Sequence, residues 1–208
     1  MRWRRRGAAR GARAHSAWRG RGRSINIVGE PGRAATGSTT ITSQEEVPAW
    51  SDDWCEFFRE RRLAPQIALA RSNGFDALAR EAERLLGVVN VLLADHDAAP
   101  SLVHGDLWSG NAALLDGGVP AVYDPAVYVG DREVDLAMTA LFGGFGADFY
   151  AAYDAAFARP DGHAERRDLY DLYHLLNHVN LFGGGYLART ERTITRLLGF
   201  VVRAGRNR

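Results

Sequence analysis

Lysine is missing from this sequence altogether: all 26 basic residues among the 208 are arginine. Any chemistry that needs an ε-ammonium from this chain, whether a Schiff base or a phosphate-gripping point charge, is therefore excluded. Cysteine is nearly as scarce. Cys55 stands alone, so no disulfide can form within the chain, and a reducing, cytoplasmic setting fits that usage. No apolar run approaches the roughly 18 residues needed to span a bilayer, so no membrane partner is expected. Acid is scarce in one region only. Residues 1–33 hold a single acid, Glu30, against ten arginines, while residues 34–208 hold 24 acids against sixteen arginines. The net charge of +1 thus averages a leader of +9 and a body of −8.

Residues 1–37 are mostly Arg, Gly, Ala and Ser without helical or strand period, a composition that buries too little apolar surface to offset ordering entropy. Three readings stand: a nucleic-acid-binding arm, an Arg-rich targeting peptide, or a misassigned start in GC-rich coding sequence. The third is favoured, and nucleic acid is expected as a partner only if the leader is genuine. Residues 38–208 form the second unit, and from Trp50 onward the text is globular. Ser51, Asp52 and Asp53 before Trp54, Phe57, Phe58 and Leu63 read as an N-capped helix that Pro65 interrupts or restarts. Helices are expected over 75–94, 131–142, 148–158, 164–182 and 191–202, with short strands and tight turns between 101 and 128.

The chemistry concentrates in residues 101–135. The stretch His104-Gly-Asp-Leu-Trp-Ser-Gly-Asn111 follows a short apolar strand and sets His-x-Asp five residues ahead of an Asn. That spacing belongs to catalytic loops of kinases, with the Asp as base and the Asn as metal ligand. Two short strands, 112–115 and 120–123, flank Asp116-Gly-Gly-Val119. A two-residue turn at Gly117-Gly118 would pair 115 with 120 and carry Asn111 opposite Asp124. An amide oxygen and a carboxylate would then meet at the open end of one hairpin, where a one-residue slip would part them.

With Asp124-Pro-Ala-Val-Tyr-Val-Gly-Asp-Arg-Glu-Val-Asp-Leu-Ala137, Leu172-Tyr-His-Leu-Leu-Asn-His-Val-Asn-Leu-Phe-Gly-Gly-Gly-Tyr186 and Trp54–Leu63 added, the chain resembles the fructosamine (ketosamine) kinase family over roughly residues 50–203. The resemblance implies an α+β, protein-kinase-like fold shared with aminoglycoside and choline kinases. Here it would be a mainly helical C-terminal lobe with a small β-hairpin carrying the catalytic loop. It also implies ATP-dependent, magnesium-requiring phosphorylation of a sugar hydroxyl on glycated amines, either small ketosamines or glycated proteins. By position Asp106 would be the base, and Asn111 and Asp124 would hold magnesium on the ATP phosphates. Asp135, sharing a helix face with Met138 and Phe142, would be partly buried and would take its donors from the catalytic-loop backbone. Asp131 reads as an N-cap, and His104 as a brace of the loop rather than a proton carrier. Trp108 either stacks on the sugar or amine, or packs beneath the loop. His174 and His178 are spaced i, i+4 but lack the Glu and third ligand of a zinc helix, so core or pocket wall is expected.

A kinase of this architecture also needs an N-terminal lobe with a Gly-rich turn, a lysine and its glutamate. None is identifiable. Pro31–Gly37 is too weak a phosphate-loop mimic. Two expectations follow: a small-molecule kinase recorded without its N-terminal lobe, or a non-catalytic kinase-like remnant or other aminoglycoside- or choline-type kinase lobe that serves as a binding module. Either way, apolar and acidic surface around residues 101–128 is expected to be exposed.

Overall fold

The computed structural model describes residues 26–27, 51, 53–94 and 96–206. The leader expected over 1–37 lies outside the described residues apart from Asn26–Ile27, a two-residue strand (β1). The first helical rod joins α1 (Trp54–Phe57), a π-helical turn (Phe58–Leu63) and α2 (Ala64–Ser72). Its N-cap is Asp53, whose carboxylate accepts the Glu56 N–H at 3.0 Å, and Ser51 Oγ accepts from Asp53 N–H behind it. Pro65 neither ends nor restarts the rod. The wider turn before it lets Ala64 N–H reach back to the Arg59 carbonyl, so the rod runs on past the proline ring.

The helix expected over 75–94 is divided at Gly87–Val88 into α3 (Asp76–Leu86) and α4 (Val89–Leu92). Strand β2 (Pro100–Val103) then leads into the loop with the His-x-Asp motif. Strands β3 (Ala112–Leu114) and β4 (Pro120–Val122) form the hairpin, and β5 (Tyr128–Asp131) returns to pair antiparallel with β2, Val103 opposite Tyr128. Strand β1 lies parallel to the outer edge of β4. Helices α5 (Glu133–Leu141), α6 (Ala147–Ala156), α7 (His163–Phe182) and α8 (Leu187–Arg206) complete the described chain. Among the described residues no helix is long and apolar enough to cross a membrane.

Helix α7 is the axis of the packing. Its Leu169, Leu172, Leu176 and Val179 join Phe58, Leu63 and Ile67 of the first rod, Leu85 of α3, and Ile194 and Leu197 of α8 in one buried cluster. Each such leucine contributes about 1.5–3 kcal/mol on burial. Helix α5 is tied to α7 by a buried ion pair: Arg166 Nε and Nη2 donate to the two Glu133 oxygens at 2.7 and 2.8 Å. Burial opposes the Glu133 charge, but these bonds and His163 prevail and hold its pKa down to about 2. Over the strand region, Leu102, Leu114, Leu115, Val119 and Val127 remain exposed.

The hairpin register departs from expectation by one residue. Ala113 faces Ala121 and Leu114 faces Pro120, closed by Leu115 N–H donating to the Val119 carbonyl. The turn is a three-residue 3₁₀ turn, Asp116–Gly118, rather than a two-residue Gly-Gly turn. Asn111 is therefore opposite Tyr123, whose N–H donates to its carbonyl, and not opposite Asp124.

Candidate active site

The loop from His104 to Asn111 is held by its own backbone. The Asp135 carboxylate, in the first turn of α5, accepts N–H bonds from His104 at 2.7 Å and Gly105 at 2.9 Å. Burial pushes the Asp135 pKa up to about 6 against these two donors. Gly105 has φ +80, and a Cβ there would come within 2.2 Å of the Ala126 carbonyl oxygen, so the segment after β4 passes directly over the loop. His104 ties the same two segments together. Its Nε2 meets the Tyr123 carbonyl at 2.9 Å and its Nδ1 meets the Asp106 N–H at 3.3 Å. With Nδ1 accepting, Nε2 carries the proton, and burial lowers the pKa so that the ring stays neutral.

Asp106 follows at the turn of this loop. Asn111, 7 % exposed, donates from Nδ2 to both the carbonyl oxygen (2.9 Å) and Oδ2 (3.0 Å) of Asp106. Burial raises the Asp106 pKa, the Asn111 hydrogen bond and His178 oppose the shift, and the Asp124 charge adds to it. Asp124 is thus electrostatically coupled to Asp106 despite the register slip. Among the described non-glycine residues only Asp124 has positive φ, at 51°. That left-handed kink just after β4 releases its side chain from the strand alternation on which the expected convergence depended.

On its other side Asp106 lines a cavity of about 590 Å³. Trp108, 38 % exposed, forms part of the wall. Its indole also lies over Gly110, where a Cβ would meet the ring at 2.2 Å, so Trp108 both packs on the loop and presents itself to the cavity. The floor is α7: Tyr173, His174, Asn177 and His178 line it from the face next to the leucine core. His178 Nδ1 donates to the His174 carbonyl at 2.8 Å, and its ring sits 4.7 Å from Phe142 and 4.9 Å from Tyr186. Burial lowers the His178 pKa. His174 is held at about 3 by burial and by the neighbouring Arg62 charge. Arg62 itself is sandwiched between Tyr128 and Tyr173, its guanidinium carbon 4.6 and 4.1 Å from the ring centroids.

Asp106 and Trp108 reach the cavity, while Asn111 and Asp124 lie outside its lining. Asp131 and Asp135 are set behind it. Asp131 Oδ1 accepts the Glu133 N–H at 3.0 Å, at the start of α5. Its Oδ2 accepts from Tyr170 at 2.6 Å and meets His96 at 2.5 Å, and Trp54 Nε1 donates to the same tyrosine oxygen. Asp131 is therefore a junction of four elements rather than a simple cap. Arg62, Tyr128, Tyr173 and Asn177 lie within the segments that carry the resemblance, but nothing in the sequence assigns them a place in the site. The available signal was the polar interruption of α7 at 173, 174, 177 and 178, where a buried helix would otherwise stay apolar.

A carboxylate of raised pKa, gripped by an amide and facing an aromatic cavity, can take the proton of a bound hydroxyl. Asn111 spends Nδ2 on Asp106, which turns its amide oxygen away toward other partners. That oxygen and the Asp124 carboxylate are hard donors of the kind magnesium prefers.

Comparisons with known proteins converge on one family. The family model for fructosamine kinase matches residues 35–200. A probable ketoamine kinase of Synechocystis sp. is 42% identical over 188 residues, covering 88% of this chain and 63% of the relative. The chloroplastic protein-ribulosamine 3-kinase of Arabidopsis thaliana is 40% identical, with 79% and 52% covered. The crystal structure of a fructosamine-3-kinase candidate from Thermobifida fusca superposes with a TM-score of 0.66 at 36% identity, covering 71% of this chain and 52% of that one. The chain thus spans about half to two thirds of the length of the relatives it matches.

Proposed function

The chain belongs to the fructosamine kinase family, and from that premise we propose that it takes part in ATP-dependent phosphorylation of a sugar hydroxyl on ketosamines, the adducts of amines with reducing sugars. The observation that carries this reading is the station of Asp106. Its carboxylate lines the cavity on one side and accepts from the Asn111 amide on the other, with Asp124 near enough to help raise its pKa. Asp106 accepts the proton of the attacking hydroxyl, and its raised pKa makes it a stronger base than an exposed aspartate. Asn111 fixes that carboxylate in one rotamer. Asn111 and Asp124 would hold magnesium, which would neutralise charge on the ATP phosphates.

The remaining residues keep the base in place. Asp135 and His104 make the loop rigid through backbone hydrogen bonds. Asp131 holds the start of α5, and so the position of Asp135. Trp108 offers an aromatic face for the sugar or its amine substituent. The acceptor is a small ketosamine or a glycated protein, and the compartment suggested by the unpaired Cys55 is cytoplasmic.

The lack of lysine favours a second reading, in which these residues bind a ketosamine without turning over ATP. One experiment separates the two. Magnesium-dependent ATP consumption is measured with 1-deoxy-1-(methylamino)fructose for the wild type and for Asp106→Asn. Loss of about 100-fold or more in the variant, with ketosamine binding retained, supports the kinase reading. Equal turnover in both refutes it. Binding without turnover in the wild type establishes the second reading.

A further inference from the structure

Asn177 is 3 % exposed and lines the cavity, yet its Oδ1 has no hydrogen-bond partner among the described residues. A buried acceptor left in that state destabilises the fold, and an apolar side chain of the same branching, as in leucine, would avoid that cost. The adjacent residues define what could satisfy it. Asn177, His178 and Asp106 line the same cavity, and His178 is close enough to Asp106 to shift its pKa. His174, one turn earlier on the same face, is a neutral imidazole with one donor and one acceptor nitrogen. The Arg62 guanidinium bears on this same corner and disfavours a second cation there. A neutral group rich in donors matches the corner, and a protonated amine does not.

We infer that Asn177 Oδ1 accepts a hydrogen bond from a hydroxyl of the ketosamine's sugar, so that the sugar lies against α7 and the ammonium points away from Arg62. The inference rests on the ketosamine reading and adds to it an orientation and a specificity residue. Sugar identity is read at the floor, whereas the amine substituent meets no polar side chain of this corner.

The test titrates the wild-type chain and Asn177→Leu with 1-deoxy-1-(methylamino)fructose and with analogues lacking a single hydroxyl at carbon 4, 5 or 6. Intrinsic tryptophan fluorescence reports binding, and thermal melting reports stability. Asn177→Leu is expected to weaken the parent ligand about tenfold or more while raising Tm, because the amide gives up no bond within the protein. One deoxy analogue should bind the variant and the wild type alike, which identifies the hydroxyl. A merely structural asparagine would lower Tm on replacement and weaken every ligand equally, and that result overturns the inference. Asn177→Ala serves as the second variant if the leucine does not fold, with the same expected pattern of ligands. If the wild type binds no ketosamine, the proposed function fails and this inference with it. If it binds ketosamines but is indifferent to both variants, this inference fails alone.

Discussion

Asp171 offers a quantitative test of the packing around α7. It is 7 % exposed and its Oδ1 lacks a partner among the described residues. Burial, with Asp168 adding to it and Arg167, Arg189 and Arg196 opposing, raises its pKa from 3.8 to about 7. The fold therefore holds this proton more tightly than the unfolded chain does. The resulting stability is fully present below pH 3.8 and is lost as pH rises toward 7, at about 1.4 kcal/mol per unit. Between pH 5 and pH 8 the loss is about 2.5 kcal/mol, or roughly 5–10 °C in Tm for a domain of this size. Asp171→Asn keeps the shape and removes the titration. Melting both proteins by circular dichroism at pH 5, 6, 7 and 8 cancels every other titrating group, so the variant should gain on the wild type steadily up to pH 7 and then level off. A difference in Tm that stays constant from pH 5 to pH 8 would refute the reasoning.

Two further outcomes follow from the loop and the ion pair. Gly105→Ala must place a methyl 2.2 Å from the Ala126 carbonyl at φ +80, so it should displace Asp106 and reduce ketosamine-dependent turnover by about 100-fold. Turnover within threefold of wild type would show that the crossing backbone yields. Arg166→Met removes both guanidinium bonds from the Glu133 carboxylate, 1 % exposed, and should cost about 3–5 kcal/mol at pH 7 in denaturant unfolding. Because Glu133 titrates near 2 in the fold against 4.5 when unfolded, the wild-type advantage is present above pH 4.5 and should shrink as pH falls below it.

What was readable from sequence was local. The five-residue spacing from Asp106 to Asn111 is a property of one loop, and both residues do meet through the Asn111 amide. Asp135 is reached through helical periodicity that places a carboxylate on an apolar face, and its two backbone donors answer the need for partners. The hairpin register escapes the sequence because a Gly-Gly pair suits both a two-residue turn and the observed three-residue one, in which Gly117 and Gly118 both take positive φ. The left-handed kink at Asp124 has no sequence signature beyond the tolerance of aspartate for that conformation. Arg62 was illegible for a different reason. It reaches the cavity only because the first rod packs on α7, so that Tyr128 and Tyr173 close around it from distant parts of the chain. The junction at Asp131, joining Trp54, His96 and Tyr170, is likewise a product of tertiary contact rather than of any local pattern.

One helix serves two purposes, and this constrains how the family can diversify. The leucines of α7 build the core while Tyr173, His174, Asn177 and His178, interleaved with them on the next face, form the cavity floor. A small rotation of α7 that altered the floor would disturb every layer of the core at once. Substrate preference therefore has little freedom to drift through this helix. The walls made of loop, at Trp108 and across Pro125–Val127, are under no such constraint, since a change of shape there leaves the interior packed.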